Sequence, residues 1–447
     1  MPPLRFIPLP PGAPVLAAAV PGPDLAAAGY GEQELRVAGT AHRFLPGDGP
    51  GGVEPADEAP FVTRAVLRAP AEDDRASGVL VVEWLNVSSG SDTAPEWTYL
   101  AEEIVRRGHA WLGVSAQQVG VTGGTPSVGG PPSPGLRGTD PERYGDLAHP
   151  GDAYSYDLFT QVAAAVDRPG GPLAGRRVGR RIAVGESQSA FALTTYVNHV
   201  APSAEVFDGY LVHSRGRGRL GLGAPGRPHD VADVRSGAPV AFRGDLAAPV
   251  IAVQTETDVL SPRFRSVEAR QPDGPLLRLW EVAGSAHADH WHIGEFESLL
   301  GCPEPVNRGQ QAYVLRAALR ALETWTPGAA GPPYAERLAV VDGAGDRFEL
   351  DTAGNVRGGV RTPCVDVPTQ QLSGLGSPES SVLCSLFGAT RELPSDLLRA
   401  RYPSVAGYLA AYAASVDATI EAGFALEEDR AALLAEARPD LVASALA

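Results

Sequence analysis

The stretch Ile182-Ala-Val-Gly-Glu-Ser-Gln-Ser189 joins a short apolar strand to a helix through a turn of small residues. Gly185 lies two positions before Ser187, and Ser189 lies two positions after it, where this kind of turn usually has glycine. A serine on a tight strand–turn–helix is typical of a catalytic nucleophile, because the turn exposes its hydroxyl at the edge of a sheet. A serine at a helix start also serves as an ordinary cap, so a purely structural role for Ser187 stays open.

On both sides of this turn, apolar strands alternate with helical segments. Gly78–Leu85 is apolar almost throughout, which is typical of a strand buried on both faces. Glu34–Phe44 and Phe61–Leu67 instead alternate apolar and polar residues, which indicates an antiparallel pair at the edge of the sheet. An antiparallel pair followed by βα repeats predicts an α/β protein with a mostly parallel sheet, in the order of the α/β-hydrolase fold.

The composition suggests three regions along the chain. Residues 1–32 are rich in Pro, Ala and Gly and predict an irregular lead-in. Residues 33–330 carry the sheet and its helices, with Gly/Pro-rich insertions at 116–150 and 214–248. Residues 331–447 predict a C-terminal extension, made of a β-hairpin and helices, that packs on the core or caps it.

A nucleophilic serine needs a base, and that base needs an acid to orient it. In the α/β-hydrolase order the acid follows a later strand and the histidine comes last. Asp258 and Glu256 both follow the apolar strand Val250–Val253, and the position of Asp258 before Pro262 fits the acid better, with Glu256 as the alternative. His287 follows the last predicted core strand and is the candidate base.

Acyl transfer also needs N–H donors for the developing oxyanion. The backbone amide of Gln188, next to the serine at the helix start, is one candidate. The second is expected in the small polar loop after the strand Gly78–Leu85, at Asn86 or Val87.

Charge and composition narrow the function classes. The 447 residues carry 37 basic and 53 acidic side chains, a net charge of −16, which disfavours nucleic acid and anionic membrane partners. Every basic residue is arginine, so Schiff-base chemistry and a phosphate-loop lysine are excluded. No apolar run reaches the length of a membrane span, and the proline-broken N-terminus predicts no signal peptide, so the cytoplasm is the expected compartment.

Two clusters of polar residues point to competing possibilities. His287-Ala-Asp289-His290-Trp-His292 places three histidines and an aspartate together, so a metal-dependent enzyme is an alternative. The three cysteines, Cys302, Cys364 and Cys384, have no metal-binding spacing, and one disulfide is compatible with them, with Cys364 and Cys384 as the suggested pair.

Several segments resemble the bacterial "alpha/beta hydrolase domain-containing" proteins of the α/β-hydrolase superfamily. They include Val82-Glu-Trp-Leu-Asn-Val-Ser88, Gly185-Glu-Ser-Gln-Ser189, Gln254-Thr-Glu-Thr-Asp258, Gly284-Ser-Ala-His-Ala-Asp289 and Gly358-Gly-Val-Arg-Thr-Pro363. The resemblance spans roughly residues 30 to 440. It implies a serine hydrolase with Ser187 as nucleophile, His287 as base and Asp258 or Glu256 as acid.

Taken together, these patterns predict a carboxylic ester hydrolase that forms an acyl-enzyme on Ser187. It acts on a small-molecule ester or acyl substrate and needs neither cofactor nor metal; the oligomeric state is left open. Two alternatives remain besides the metal-dependent one. An acyltransferase would form the same acyl-enzyme and pass the acyl group to another acceptor. A non-catalytic, hydrolase-like binding protein would form no acyl-enzyme.

Overall fold

The chain is described from a computed structural model, which covers residues 4–10, 12, 14–16, 22–47, 52–231, 234, 237–341, 347–377 and 380–447. Parts of the predicted lead-in (1–3, 11, 13 and 17–21) lie outside the described residues. The same holds for positions 232, 233, 235 and 236 of the predicted insertion at 214–248.

A mostly parallel sheet forms the centre of the fold. Its strands are β1 Arg5–Pro8, β2 Tyr30–Pro46, β3 Val53–Pro70, β4 Val79–Trp84, β5 Ala110–Val114, β6 Arg180–Glu186, β7 Gly209–His213, β8 Val250–Thr255 and β9 Leu277–Val282. They lie in the order β1-β2-β3-β5-β4-β6-β7-β8-β9. The strands from β5 to β9 in this order are parallel, and β1, β2 and β3 extend the sheet in antiparallel fashion. The predicted fold class is confirmed.

Helices cover both faces of the sheet and make up most of the chain after residue 394. They are α1 Pro95–Arg106, α2 Gln118–Thr122, α3 Gly135–Thr139, α4 Pro141–Tyr144, α5 Ser155–Ala165, α6 Gln188–Thr195, α7 Ala201–Ala204, α8 Glu256–Leu260, α9 His290–Ile293, α10 Glu297–Leu300, α11 Gln311–Thr324, α12 Pro363–Asp366, α13 Ser395–Arg401, α14 Val405–Glu421, α15 Arg430–Ala435 and α16 Pro439–Leu446. The helices α2, α3 and α4 are short turns within the predicted insertion 116–150.

The apolar run of β4 is buried on both faces, as its sequence indicates. Glu83 is the one charged residue of this strand, and it is fully buried. Its carboxylate accepts hydrogen bonds from the amides of Glu96 and Trp97 at 3.0 and 2.9 Å, and from Trp111 Nε1 at 2.9 Å. The carboxylate therefore caps α1 and fixes that helix against the centre of the sheet.

The N-terminal lead-in is not irregular throughout, and this part of the prediction is wrong. Residues Arg5–Pro8 form β1 and pair with Leu35–Ala38 of β2. A four-residue strand at a sheet edge takes its order from the neighbouring strand, so its own sequence carries little signal.

The C-terminal region contains a small second sheet, formed by β10 Gln370–Ser373 and β11 Ala389–Glu392 in antiparallel pairing. Residues 338–341, 347–350 and 356–360 make only isolated bridges, such as Leu338 with Gly358. The helices α13 to α16 that follow share a core of their own with tyrosines Tyr402, Tyr408 and Tyr412.

Buried ion pairs join distant elements. The fully buried guanidinium of Arg64 lies 3.1 Å from Glu34 and 2.6 Å from Asp92. Arg316 of α11 lies 3.0 Å from Asp429, which precedes α15. Because both partners of each pair are buried and hydrogen-bonded, removing one partner would leave an uncompensated charge.

The disulfide joins Cys302 to Cys384, and Cys364 is a free thiol, so the suggested pairing of Cys364 with Cys384 is wrong. Cys364 lies in α12, where its amide donates to Gln310 Oε1, and it faces Tyr408 and Tyr412. Burial raises the pKa of this thiol to about 12, which keeps it protonated. The spacing of the three cysteines in the sequence does not indicate which two of them lie close together in the fold.

Within the described ranges, no helix has both the length and the apolar character to cross a membrane.

The Cys302–Cys384 bond links positions 82 residues apart, so it removes much conformational freedom from the unfolded chain. We expect the double variant Cys302→Ser/Cys384→Ser to lower the free energy of unfolding by about 2–4 kcal/mol. Guanidinium denaturation measures this loss. Cys364→Ser is the matched control and should change stability by less than about 1 kcal/mol; equal losses in both variants would contradict a stabilising role for the disulfide.

Candidate active site

Ser187 lies at the turn between β6 and α6 in a backbone conformation that L-residues rarely adopt. Its φ is 57° and its ψ is −116°. Its amide donates to the carbonyl oxygen of His213 on the neighbouring strand β7 at 2.9 Å. A non-glycine residue at positive φ on a strand–turn–helix is the geometry expected of a nucleophile presented above a parallel sheet.

Crowding explains why the flanking residues of this turn are small. A Cβ added to Gly185 would lie 3.0 Å from Leu193 Cδ1 and 3.1 Å from Ser189 Cβ. These are tight contacts, so a larger side chain at position 185 would push on the first turns of α6. Ser189 itself is fully buried here, which shows that the turn accommodates serine where glycine is usual.

Three of the candidate site residues form a continuous hydrogen-bonded chain. Ser187 Oγ lies 2.8 Å from His287 Nε2, and His287 Nδ1 lies 2.7 Å from Asp258 Oδ1. His287 is on the loop after β9, and Asp258 is in α8, directly after β8. The two loops meet because the carboxyl ends of parallel strands lie at one edge of the sheet.

The environment of Asp258 favours its ionised form. Burial acts to raise its pKa, but the charge and hydrogen bond of His287 and two bonds from Thr255 outweigh it, so the pKa lies below its ordinary value. Thr255 donates from its amide and from Oγ1 to Asp258 Oδ2, both at 2.7 Å. An ionised, fixed carboxylate at Nδ1 holds the imidazole with Nε2 toward the serine.

Glu256, the alternative acid, does not contact His287. Its two oxygens accept from the amides of Gly284 at 2.6 Å and Gly374 at 2.8 Å. Burial raises its pKa to about 7, although both amide bonds act in the opposite direction. Glu256 therefore links the loop that carries His287 to the C-terminal region.

The C-terminal region also supports His287 through Thr257. Thr257 Oγ1 accepts from the amide of His287 at 3.0 Å and donates to the carbonyl oxygen of Gly374 at 2.5 Å. The ring of Phe264 stacks on the imidazole, with 4.3 Å between ring centres. The position of the imidazole thus depends on two other parts of the chain, residues 257–264 and Gly374.

The predicted oxyanion donors differ in whether their backbone N–H groups already have a hydrogen-bond acceptor. Gln188 is the first residue of α6, so its amide has no partner within the helix. The amide of Val87 points to Gln188 Oε1 at 3.4 Å, a long contact that a substrate oxygen could replace. The amide of Asn86 is occupied by the carbonyl oxygen of Thr93 at 3.0 Å, and its side chain instead holds Glu186.

A cavity of about 240 Å³ opens at Ser187 and His287. Its walls are largely apolar, with a polar rim from the loops after β4 and β5. The apolar side chains are Pro95, Val128, Phe191, Val231, Phe264, Ala288, Ile293, Leu383, Leu386 and Phe387. Leu383, Leu386 and Phe387 flank the disulfide at Cys384, so the C-terminal region forms one wall of the cavity.

The side chains of the two histidines that follow His287 are not directed toward a common metal site. His290 Nδ1 lies 2.9 Å from Glu297, and His292 faces the ring of Tyr99. Asp289 accepts from Tyr99 Oη at 3.1 Å and from Gln311 Nε2 at 2.9 Å. Over the ranges that the structure covers, no three His, Cys, Asp or Glu side chains are grouped to hold a metal ion.

Sequence reasoning missed two features of this site. Glu186 directly precedes Ser187 in the sequence, but the pattern of residues does not indicate that its carboxylate lies 3.2 Å from His287 Nε2. The second is the wall from residues 383–387, which lies some two hundred residues after Ser187 and carries no recognisable motif.

Residues 6–435 match the family model described as alpha/beta hydrolase domain. A comparison with curated proteins finds no match.

Solved structures with similarity to this chain include a serine hydrolase of the a/b class without lid from Xanthomonas campestris, which is 14% identical. The match covers 66% of this chain and 97% of that one, with a TM-score of 0.34. Est1E from Butyrivibrio proteoclasticus is 10% identical over 64% of this chain and 100% of that one, with a TM-score of 0.32. A cold-adapted esterase from an Arctic intertidal metagenomic library is 16% identical over 50% and 72%, with a TM-score of 0.27.

The close contacts at Gly374 predict that alanine is less well tolerated there than at the nearby Gly376. A Cβ at Gly374 would overlap the carbonyl oxygen of Ser285 and lie 2.7 Å from the amide nitrogen of Thr257. We expect Gly374→Ala to displace the His287 loop and to lower thermal stability, with a loss of about 1–3 kcal/mol. At Gly376, on the same segment, the nearest atom to an added Cβ is Ser380 Oγ at 3.3 Å.

Gly376→Ala should therefore melt within a few degrees of the unmodified protein. Differential scanning calorimetry of the two variants tests the contact. If both alanines are tolerated equally, the Gly374 segment does not support the His287 loop.

Proposed function

Because the chain belongs to the alpha/beta hydrolase family over residues 6–435, we propose that it is a serine hydrolase that cleaves a carboxylic ester through an acyl-enzyme. The observation that carries this proposal is the chain of hydrogen bonds from Ser187 through His287 to Asp258, at 2.8 and 2.7 Å. These distances suit proton transfer from the serine to the imidazole.

In the proposed reaction, Ser187 Oγ attacks the ester carbonyl while its proton moves to His287 Nε2. Asp258 keeps Nδ1–H in place and stabilises the positive imidazolium that forms. The imidazolium then protonates the leaving alcohol, and the acyl group stays on the serine. Water, activated by the same nitrogen, completes hydrolysis and restores the serine.

The amides of Gln188 and Val87 are proposed to bind the carbonyl oxygen as it gains charge. The long 3.4 Å contact between Val87 N and Gln188 Oε1 favours Val87 over Asn86, since the Asn86 amide already has a 3.0 Å bond to Thr93. Ser187 also precedes the positive end of the α6 dipole, which favours the same oxyanion.

The cavity supports a small-molecule ester as the substrate. A volume of about 240 Å³ lies below the range of about 300–1,000 Å³ that is typical of binding sites for drug-sized ligands. Its mostly apolar walls favour an apolar acyl or alcohol group. The strongly negative charge of the chain, −16, disfavours a polyanionic substrate.

The first test is covalent labelling with an alkyl fluorophosphonate, followed by mass spectrometry of the modified peptide. We expect one label on Ser187, with a loss of at least about 10⁴-fold in hydrolysis of p-nitrophenyl butyrate for Ser187→Ala. Ser189→Ala is the matched control, because Ser189 Oγ points away into the core and should not be labelled. An unlabelled protein that also leaves this ester intact would overturn the proposal.

The second test separates the two candidate acids. Asp258→Asn removes the charge at His287 Nδ1 and is expected to lower kcat by about 10⁴-fold. Glu256→Gln removes one of two amide bonds far from the imidazole, so kcat should stay within about tenfold while stability falls by about 1–3 kcal/mol. Steady-state kinetics with thermal melts measure both. The reverse order of the two kcat values would make Glu256 the acid.

A further inference from the structure

Three glutamates are buried behind the proposed nucleophile, and the reaction proposed above uses none of them. They are Glu83 on β4, Glu96 on α1 and Glu186 at the end of β6. Glu83 is satisfied by three N–H donors. Neither carboxylate oxygen of Glu96 has a hydrogen-bond partner among the described residues, and its nearest ionic neighbour is His213 Nδ1 at 3.3 Å. Only Glu186 reaches the cavity.

The carboxylate of Glu186 is held toward the reacting imidazole. Its Oε1 lies 3.2 Å from His287 Nε2, the nitrogen that also lies 2.8 Å from Ser187 Oγ. Its Oε2 accepts from Asn86 Nδ2 at 3.2 Å, and the same amide group donates to the Glu186 carbonyl oxygen at 3.0 Å. Asn86 therefore fixes the carboxylate so that one oxygen remains beside Nε2.

We propose that Glu186 is a further catalytic residue, which supplies a second carboxylate to the imidazolium on the side opposite Asp258. This inference rests on the proposed serine hydrolase function. Asp258 faces Nδ1, whereas Glu186 faces Nε2, the nitrogen that receives the serine proton. The two acids thus bracket the same ring.

The proposed role leaves the proton balance of the reaction unchanged. The Ser187 proton moves to His287 Nε2 as the serine attacks and then passes to the leaving alcohol. Glu186 neither takes nor gives this proton. While ionised, it lowers the free energy of the imidazolium by direct charge attraction, and while protonated, it contributes no such attraction.

The surroundings of Glu186 decide when it is ionised. Burial raises its pKa well above the ordinary value, and the charges of Glu96, Asp258 and Glu83 raise it further, against the lowering effect of Asn86. The titratable groups near it come from five elements. They are Glu83 from β4, Glu96 and Tyr99 from α1, His213 from β7, Asp258 from α8 and His287 from the loop after β9. An acid with a raised pKa is neutral below that value and ionised above it. The contribution of Glu186 therefore appears on the alkaline side.

This predicts a rising step on the alkaline side of the dependence of kcat on pH, as Glu186 ionises. Glu186→Gln keeps the size and the contact to Asn86 but cannot ionise, so its profile should lack this alkaline step. We expect the ratio of wild-type to E186Q kcat to rise about tenfold from the acid to the alkaline end of the profile, with KM unchanged.

Glu96→Gln is the matched control, since it is the same change in the same buried cluster. It removes the neighbouring carboxylate whose charge raises the pKa of Glu186 most, so the alkaline step should move to lower pH and remain present. This variant also decides the question if E186Q fails to fold. An alkaline step that stays at its wild-type pH in E96Q would then overturn the role of Glu186.

Fluorophosphonate labelling of Ser187, run on the same samples, separates the two proposals. If wild type and E186Q are both labelled and active but their kcat ratio does not change with pH, Glu186 is only a structural residue and the hydrolase proposal stands. If wild type neither reacts with the probe nor hydrolyses p-nitrophenyl butyrate, both proposals are overturned.

Discussion

The backbone of Ser187 is the constraint on which the proposed chemistry depends. A residue held at φ 57° and ψ −116° costs on the order of 1–3 kcal/mol, and an isolated turn would relax. It is held here because β6 is fixed between β4 and β7, and because the serine amide is bonded to His213 on β7. The parallel sheet supplies the free energy that keeps the hydroxyl at its edge.

The C-terminal region contributes to the same site through a few polar contacts. Glu256 and Thr257 both form hydrogen bonds with Gly374. They also hold the loop that carries His287, because Glu256 accepts from the Gly284 amide and Thr257 accepts from the His287 amide. Leu383, Leu386 and Phe387 then line the cavity. We propose a boundary at residue 330 between the core and the C-terminal extension. Residues from both sides of this boundary contribute to the site.

The local patterns in the sequence were sufficient for most of the fold. The strands from β4 to β9 are apolar runs with recognisable ends, and the predicted buried run Gly78–Leu85 contains β4 Val79–Trp84. The order of serine, acid and histidine followed from the order of strands. Short elements such as β1 could not be predicted, because pairing with a neighbour rather than their own composition orders them.

The parts of the site that sequence left open all depend on side-chain direction or on distant contacts. Asp258 and Glu256 are two residues apart in one short helix, so only the turn of that helix decides which one faces His287. The carboxylate of Glu186 reaches Nε2 because Asn86, one hundred positions earlier, holds it there. The cysteine pairing depends in the same way on segments that meet only in the folded chain.

The ion pairs of this fold have a property that follows from the absence of lysine. Arg64 with Glu34 and Asp92, and Arg316 with Asp429, are pairs of carboxylates with guanidinium groups. An ammonium group loses its proton near pH 10, whereas a guanidinium keeps its charge well beyond that point. At the pH where amine-based ion pairs come apart, the guanidinium of Arg64, whose pKa is raised by its two carboxylate partners, still carries its charge.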